Sequence, residues 1–348
     1  MVRLLTIGWE TGDIQEVVMT GSGVIGSTSP APRSPSAYYL KMSGASTSDQ
    51  QSTYDWGTPA TDVWVRVSYY LDGGSGTYEA TVLKLADSAG GIQGSVSASL
   101  NDGLMRVYAG DRATLLGTST ASGQFRTPAW HTVEVHWQML SLTNGNIEVW
   151  MDGAQWIVLN GVDNVNTSNL NMRSIRLINN PPWASSATAC FDDLAINDTT
   201  GTTNNGRIGD GRVVLLMPNG AGSATNMLRG GTDTGANWSQ VNEVPPSAAQ
   251  YVYSGTVGTA DSYALQDIPT GSWQVNCVDL IGYALLSDPT GGALGLTVKS
   301  GPTAYESPPQ TLTIAAQYVR QHLEVDPNTN ASWSTTAVNA LEIGTTVR

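Results

Sequence analysis

Apolar and polar side chains alternate along this chain, and few stretches carry a helical spacing. Between residues 62 and 71, Val63, Val65, Val67, Tyr69 and Leu71 fall on one side, with Asp62, Trp64, Arg66, Ser68 and Tyr70 on the other. The same period runs through Val133, Val135 and Trp137 and through Ile147, Val149 and Met151, two runs that flank a turn at Thr143-Asn144-Gly145-Asn146. Asp72-Gly73-Gly74-Ser75-Gly76 reads as a turn that returns the chain along Thr77–Leu85 as a hairpin partner. Asp152-Gly153 turns toward Trp156–Leu159, and Arg173–Ile178 and Phe191–Ile196 supply two further strands. Short strands between glycine-rich turns predict an all-β chain.

From 199 to 207 the sequence offers almost nothing to bury, which predicts a polar linker. Beyond it, strands are expected at Gly211–Met217, Ser272–Ile281, Gly295–Lys299, Thr311–Val319 and Ala337–Ile343, punctuated by prolines. Residues Ser334–Leu341 could instead turn once as a helix, a reading ranked below strand. The expected organisation is two jelly-roll-like β-sandwich domains, 1–198 and 208–348.

Composition narrows the function. A length of 348 residues suits two domains, and only 13% of them are charged. Up to residue 198 there are 10 basic and 18 acidic residues, and beyond it 6 and 11, so the parts carry −8 and −5 of the total −13. A phosphate backbone would be repelled by both, which argues against a nucleic-acid partner. No apolar run reaches the roughly 20 residues that span a bilayer, and Met1–Ile7 is too short for a secretion signal and reads as a first strand. Cys190 and Cys277 fall in different domains and are expected to be free thiols, and the isolated histidines His131, His136 and His322 give no zinc spacing.

Two resemblances add to this. The opening Ile7-Gly8-Trp9-Glu10-Thr11-Gly12-Asp13, the strands Trp130–Trp137 and Ile147–Gly153, and the closing Phe191-Asp192-Asp193-Leu194-Ala195-Ile196 together resemble the concanavalin A-like lectin/laminin G jelly roll over residues 1–198. That family pairs its first and last strands, and a calcium ion can join acidic residues there. The resemblance therefore implies a structural calcium at Glu10, Asp192 and Asp193. In the second half, Asp198-Thr199-Thr200-Gly201, Asn204-Asn205, Leu216-Met217-Pro218-Asn219-Gly220, Asn237-Trp238, Pro245-Pro246 and Val338–Gly344 resemble the C-terminal part of tailed-bacteriophage virion proteins. This implies a structural protein of the virion surface, made in the host cytoplasm. A capsid decoration or cementing subunit is the first expectation, and a tail, collar or fibre component the next. Its partners would be major capsid or tail proteins and further copies of itself.

The polar side of the first sandwich holds Trp64, Arg66, Tyr70, Glu134, His136, Glu148 and Trp150. Aromatic rings beside carboxylates suit glycan binding, and equally an interface with a protein. Hydrolysis finds less support. The acid-x-acid-x-acid register of lectin-like glucanases reads Glu148, Trp150, Asp152 here, and its outer acids would stand roughly 13 Å apart at about 3.4 Å per residue. With no nucleophile elbow or phosphate loop either, the chain is expected not to be an enzyme.

Overall fold

The computed structural model describes residues 3–16, 19–21, 23–43, 49–72, 79–123, 125, 128–180, 187–232 and 234–348. It is all-β and divides into two compact units, Met1–Glu10 with Ile14–Val213, and Thr11–Asp13 with Val214–Arg348.

The first unit contains β1 (Arg3–Ile7), β2 (Met19–Gly21), β3 (Val24–Gly26), β4 (Tyr39–Ser43), β5 (Gln50–Ala60), β6 (Asp62–Asp72), β7 (Glu79–Ala86) and β8 (Ile92–Ser99). It continues with β9 (Leu104–Ala109), β10 (Thr114–Ser122), β11 (Trp130–Ser141), β12 (Asn144–Met151), β13 (Ala154–Val162), β14 (Met172–Asn179) and β15 (Thr188–Asp198). Among the described residues these form two antiparallel sheets. The first runs β13-β12-β11-β6-β15-β4-β3, with β1 also paired to β15, and the second runs β10-β9-β8-β7-β14-β5-β2. Val63, Val65, Val67, Val133, Val135, Trp137, Ile147 and Val149 of the first sheet meet Leu83, Leu85, Val96, Met105, Val107, Ile175 and Leu177 of the second in one core. Alternation put those residues inward, as a sandwich requires. Gly94 keeps the sheets close at one point: a Cβ there would stand 1.9 Å from the Trp137 ring.

As the lectin-like resemblance implies, β1 pairs with β15, Ile7 opposite Leu194 and Leu5 opposite Ile196. One expectation fails. Thr77–Leu85 is not the hairpin partner of β6, whose edges are both taken by β11 and β15, so β7 lies in the other sheet. The intervening turn at 73–76 lies outside the described residues.

The second unit holds β16 (Pro218–Thr225), β17 (Leu228–Gly231), β18 (Gln250–Tyr253), β19 (Ala260–Leu265), β20 (Val278–Ala284), β21 (Ala293–Ser300), β22 (Thr303–Glu306), β23 (Gln310–Thr311), β24 (Gln317–Leu323) and β25 (Glu342–Val347). A sheet in the order β16-β19-β25-β21-β22, with β23 on β21, faces the β20–β24 pair across Leu280, Leu294, Leu296, Val298 and Val319. The pair β17–β18 forms a separate ribbon. Four expectations shift. The Thr311–Val319 segment is broken between β23 and β24. Residues 211–217 make no ladder, the Ser272–Ile281 segment becomes strand only from Val278, and Ser334 caps a short helix, α1 (Thr335–Asn339), by accepting the Ala337 amide.

Candidate functional site

The seven residues of the expected binding face do share one surface of the first sheet. Trp64, His136 and Glu148 stand in register across β6, β11 and β12, and so do Arg66, Glu134 and Trp150. Trp64 stacks on His136 at 4.3 Å between centroids, and His136 Nε2 is 2.7 Å from Asp62 Oδ1. Glu148 accepts bonds from Trp150 Nε1 at 3.1 Å and Gln155 Nε2 at 2.7 Å, while Tyr70 leans on Trp130.

That surface is not free, because residues 207–213 of the same unit are strapped across it. Glu134, almost fully buried, accepts bonds from Arg207 Nε and the Gly209 amide, both at 3.2 Å, and from the Ile208 amide. Buried Arg66 donates to the Gly209 carbonyl at 3.1 Å and to the Asp193 carbonyl. The Arg207 guanidinium lies 3.7 Å above the Trp150 ring. Glycine permits the close approach: a Cβ on Gly211 would come 2.6 Å from Arg66 Nη2, and one on Gly8 would come 2.8 Å from Val213 Cβ. An open glycan or partner face therefore gives way here to an intramolecular anchor, in which Arg66 and Glu134 hold the strap.

The acidic residues Glu10, Asp192 and Asp193 also come together. The β15–β6 ladder shifts register at Asp192, where the strand on β15's other edge changes from β4 to β1. Asp193 sits there at φ 52°. Its carboxylate accepts the Val213 amide at 2.7 Å, the Ser68 hydroxyl at 3.0 Å and Arg33 Nη1 at 3.1 Å. Arg33 reaches on to Asp210 at 2.8 Å. At Asp210 the upward push of burial is outweighed by Arg33 and Arg212, which hold its pKa at about 2.

Asp192 and Glu10 are different. Asp192 takes the Asp193 amide at 2.7 Å and Glu10 takes the Ala37 amide at 2.9 Å, but one buried oxygen of each has no partner. Burial, opposed by the Ala37 amide and Ser36 hydroxyl and reinforced by neighbouring carboxylates, raises the Glu10 pKa to about 7. Burial and the charges of Asp193 and Glu10 push Asp192 well above the usual carboxylate range. Among the described residues no three acids, histidines or cysteines are grouped to hold a metal, so the three-acid calcium set is corrected. Asp193 is committed to Arg33 and the strap. Glu10 and Asp192 keep one spare oxygen each, with the Ser36 hydroxyl beside them.

A third cluster was missed in the sequence. On the second sheet Arg176, Lys84, Ser95 and Tyr108 stand in register across β14, β7, β8 and β9. Each alternates with core residues, so the row points away from the core, but Lys84 and Ser95 are themselves buried, and only Arg176 and Tyr108 are partly exposed. Lys84 Nζ lies 2.8 Å from Asp111 and 3.4 Å from Asp49. The Tyr108 hydroxyl donates to Glu79 at 3.0 Å, and Arg106 bridges Glu79 and Asp102. Burial and the Glu79 carboxylate raise the Tyr108 pKa to about 12, so the phenol keeps its proton. The alternations Val96/Ala98 and Met105/Val107 were the available signal, diluted by the serines of β8.

The first unit is a β-sandwich of two antiparallel sheets. No family model matches the chain, and no curated protein matches it. Solved structures do. The cellulose-induced protein Cip1 is 18% identical, with 60% of this chain covering 100% of that one at a TM-score of 0.44. An endo-β-1,4-glucuronan lyase from the fungus Trichoderma reesei is 14% identical, covering 52% and 88% at 0.38. A conserved carbohydrate esterase from the Shiga toxin-encoding bacteriophage phi24B is 13% identical, covering 57% and 99% at 0.41. The expectation of a protein that is not an enzyme is overturned, since carbohydrate-active enzymes stand among these structures. Missing sequence motifs do not exclude catalysis on a fold whose sites are assembled from several strands.

Proposed function

We propose that the first unit recognises a glycan through the outer face of its second sheet. The carrying observation is the in-register row Arg176, Lys84, Ser95 and Tyr108, flanked by Arg106 and Glu79. Ion pairs and hydrogen bonds fix these donors and acceptors in advance, which lowers the ordering cost of gripping sugar hydroxyls. The partly exposed Tyr108 hydroxyl and Arg106 guanidinium, both held by Glu79, are the groups of this face that a sugar could reach. Calcium held by Glu10 and Asp192 would act separately, as a structural ion where β15 passes from β4 to β1 in the first sheet.

A glycan array probed with the full chain tests this reading, followed by Tyr108→Phe and Arg106→Ala on any glycan bound. Affinity should fall about tenfold or more in Arg106→Ala, on the scale of a lost charge-assisted hydrogen bond. Release of new chain ends from the bound polysaccharide measures turnover. An array without binding by the wild type would reject the proposal.

A second reading, a subunit of a tailed-phage surface with capsid decoration foremost, is favoured by the sequence pattern of residues 198–346. It is compatible with the first. Quantitative mass spectrometry of purified particles should find the chain at the copy number of a structural protein, and trace amounts would sink the idea.

A further inference from the structure

We infer that the second unit carries its own sugar-binding site, built on the β17–β18 ribbon and suited to a pyranose. A cavity of about 710 Å³ opens there, within the size range of small-ligand sites. Tyr253, Trp238 and Leu228 give it apolar walls, and Asn237, Thr225 and Thr234 add polar groups.

The rings are presented and not buried. Tyr253, which lines the cavity, and Tyr251, which flanks it two residues earlier on β18, are 48% and 46% exposed, with centroids 5.9 Å apart. Tyr251 lies across Gly230 of the partner strand, where a Cβ would stand 2.2 Å from the ring. Glycine at that position lets the ring settle flat on the backbone, which holds it in place before any ligand arrives. Large aromatic rings left half exposed offer the apolar surface on which the C–H face of a pyranose stacks.

The polar floor is fixed as well. Asp261, 1% exposed, accepts bonds from Asn237 Nδ2 at 2.6 Å, the Met227 amide at 2.8 Å and the Tyr263 hydroxyl at 3.2 Å. Asn237 Nδ2 donates also to the Met227 carbonyl at 2.9 Å, which fixes which way its amide faces. Arg229 is held back by the carbonyls of Thr234, at 2.9 Å, and Gly235. Among the described residues no carboxylate lines the cavity, and Asp261 spends its oxygens on neighbouring groups. Apolar rings beside amide and hydroxyl groups, with the one lining cation, Arg229, turned onto backbone carbonyls, match a sugar better than a wholly apolar peptide.

Titration of the full chain with cellohexaose, maltohexaose, xylohexaose and mannohexaose, read by tryptophan fluorescence and calorimetry, tests the inference. One of these should bind, and Tyr253→Ala and Tyr251→Ala should each weaken it at least fivefold while leaving the melting temperature within a few degrees. Tyr108→Phe in the first unit should leave this affinity unchanged, so failure of that other site and failure of this one are separable. Absence of binding by all four sugars, or binding untouched by both tyrosine changes, overturns the inference. So does a site that captures only another protein.

Discussion

Burial raises the pKa of both Glu10 and Asp192. The Glu10 pKa is raised from 4.5 to about 7, so between those values the folded chain binds a proton that the unfolded chain has lost. The resulting stability is fully present below pH 4.5 and is lost as pH rises through 7, a change of about 3 kcal/mol at roughly 1.36 kcal/mol per unit. Asp192 is raised in the same direction and adds to the slope. Calcium at the spare oxygens would favour the ionised forms and reverse the trend. Chemical denaturation in chelator should therefore give a less stable first unit at pH 8 than at pH 5, and millimolar calcium should close the gap. Stability flat across that range in chelator would contradict the burial argument, and a gap untouched by calcium would remove the ion alone. Glu10→Gln should flatten the part of the pH dependence that Glu10 supplies.

At the scale of elements, the strap of residues 207–213 is the least expected feature. Truncating Glu134 to Ala would strand the Ile208 and Gly209 amides and the Arg207 guanidinium, at a cost of about 2–4 kcal/mol in urea unfolding. Gly211→Ala should cost about 1–3 kcal/mol by crowding Arg66, and Arg66→Ala in the same chain should recover little, because the guanidinium is itself an anchor. Equal unfolding midpoints for wild type and Glu134→Ala would mean that the strap adds nothing. The sequence made the strands around it legible because period-two burial survives wherever a strand packs on a core, as with Val63 to Leu71. It left the strap illegible because Arg207-Ile208-Gly209-Asp210-Gly211 has no period and gains its place from side chains 70 and more residues away, Glu134 and Arg33 among them. Pairing was unreadable for the same reason: β6 and β7 both alternate, and alternation does not say which sheet a strand joins. The acid cluster was visible from its resemblance. The Lys84–Tyr108 row was not, since its members meet only through the register of three strands.

For the molecule as a whole, the boundary of the first unit falls at Val213 and not where β15 ends at Asp198. A fragment of residues 1–213 should fold and stay soluble. A fragment of 1–198 should uncover Arg66, Trp150 and Glu134 and either aggregate or melt well below the longer one, as circular dichroism and light scattering would record. Identical melting of the two would reject the boundary. The pairing of Ile7 with Leu194 has a further consequence, one of time. Strand β1 finds its partner only after some 190 further residues have been added, which at 5–20 residues per second takes roughly 10–40 s. Until then the nascent chain carries an open edge and half-made sheets, so β1 is the strand most exposed to a neighbour on the same messenger.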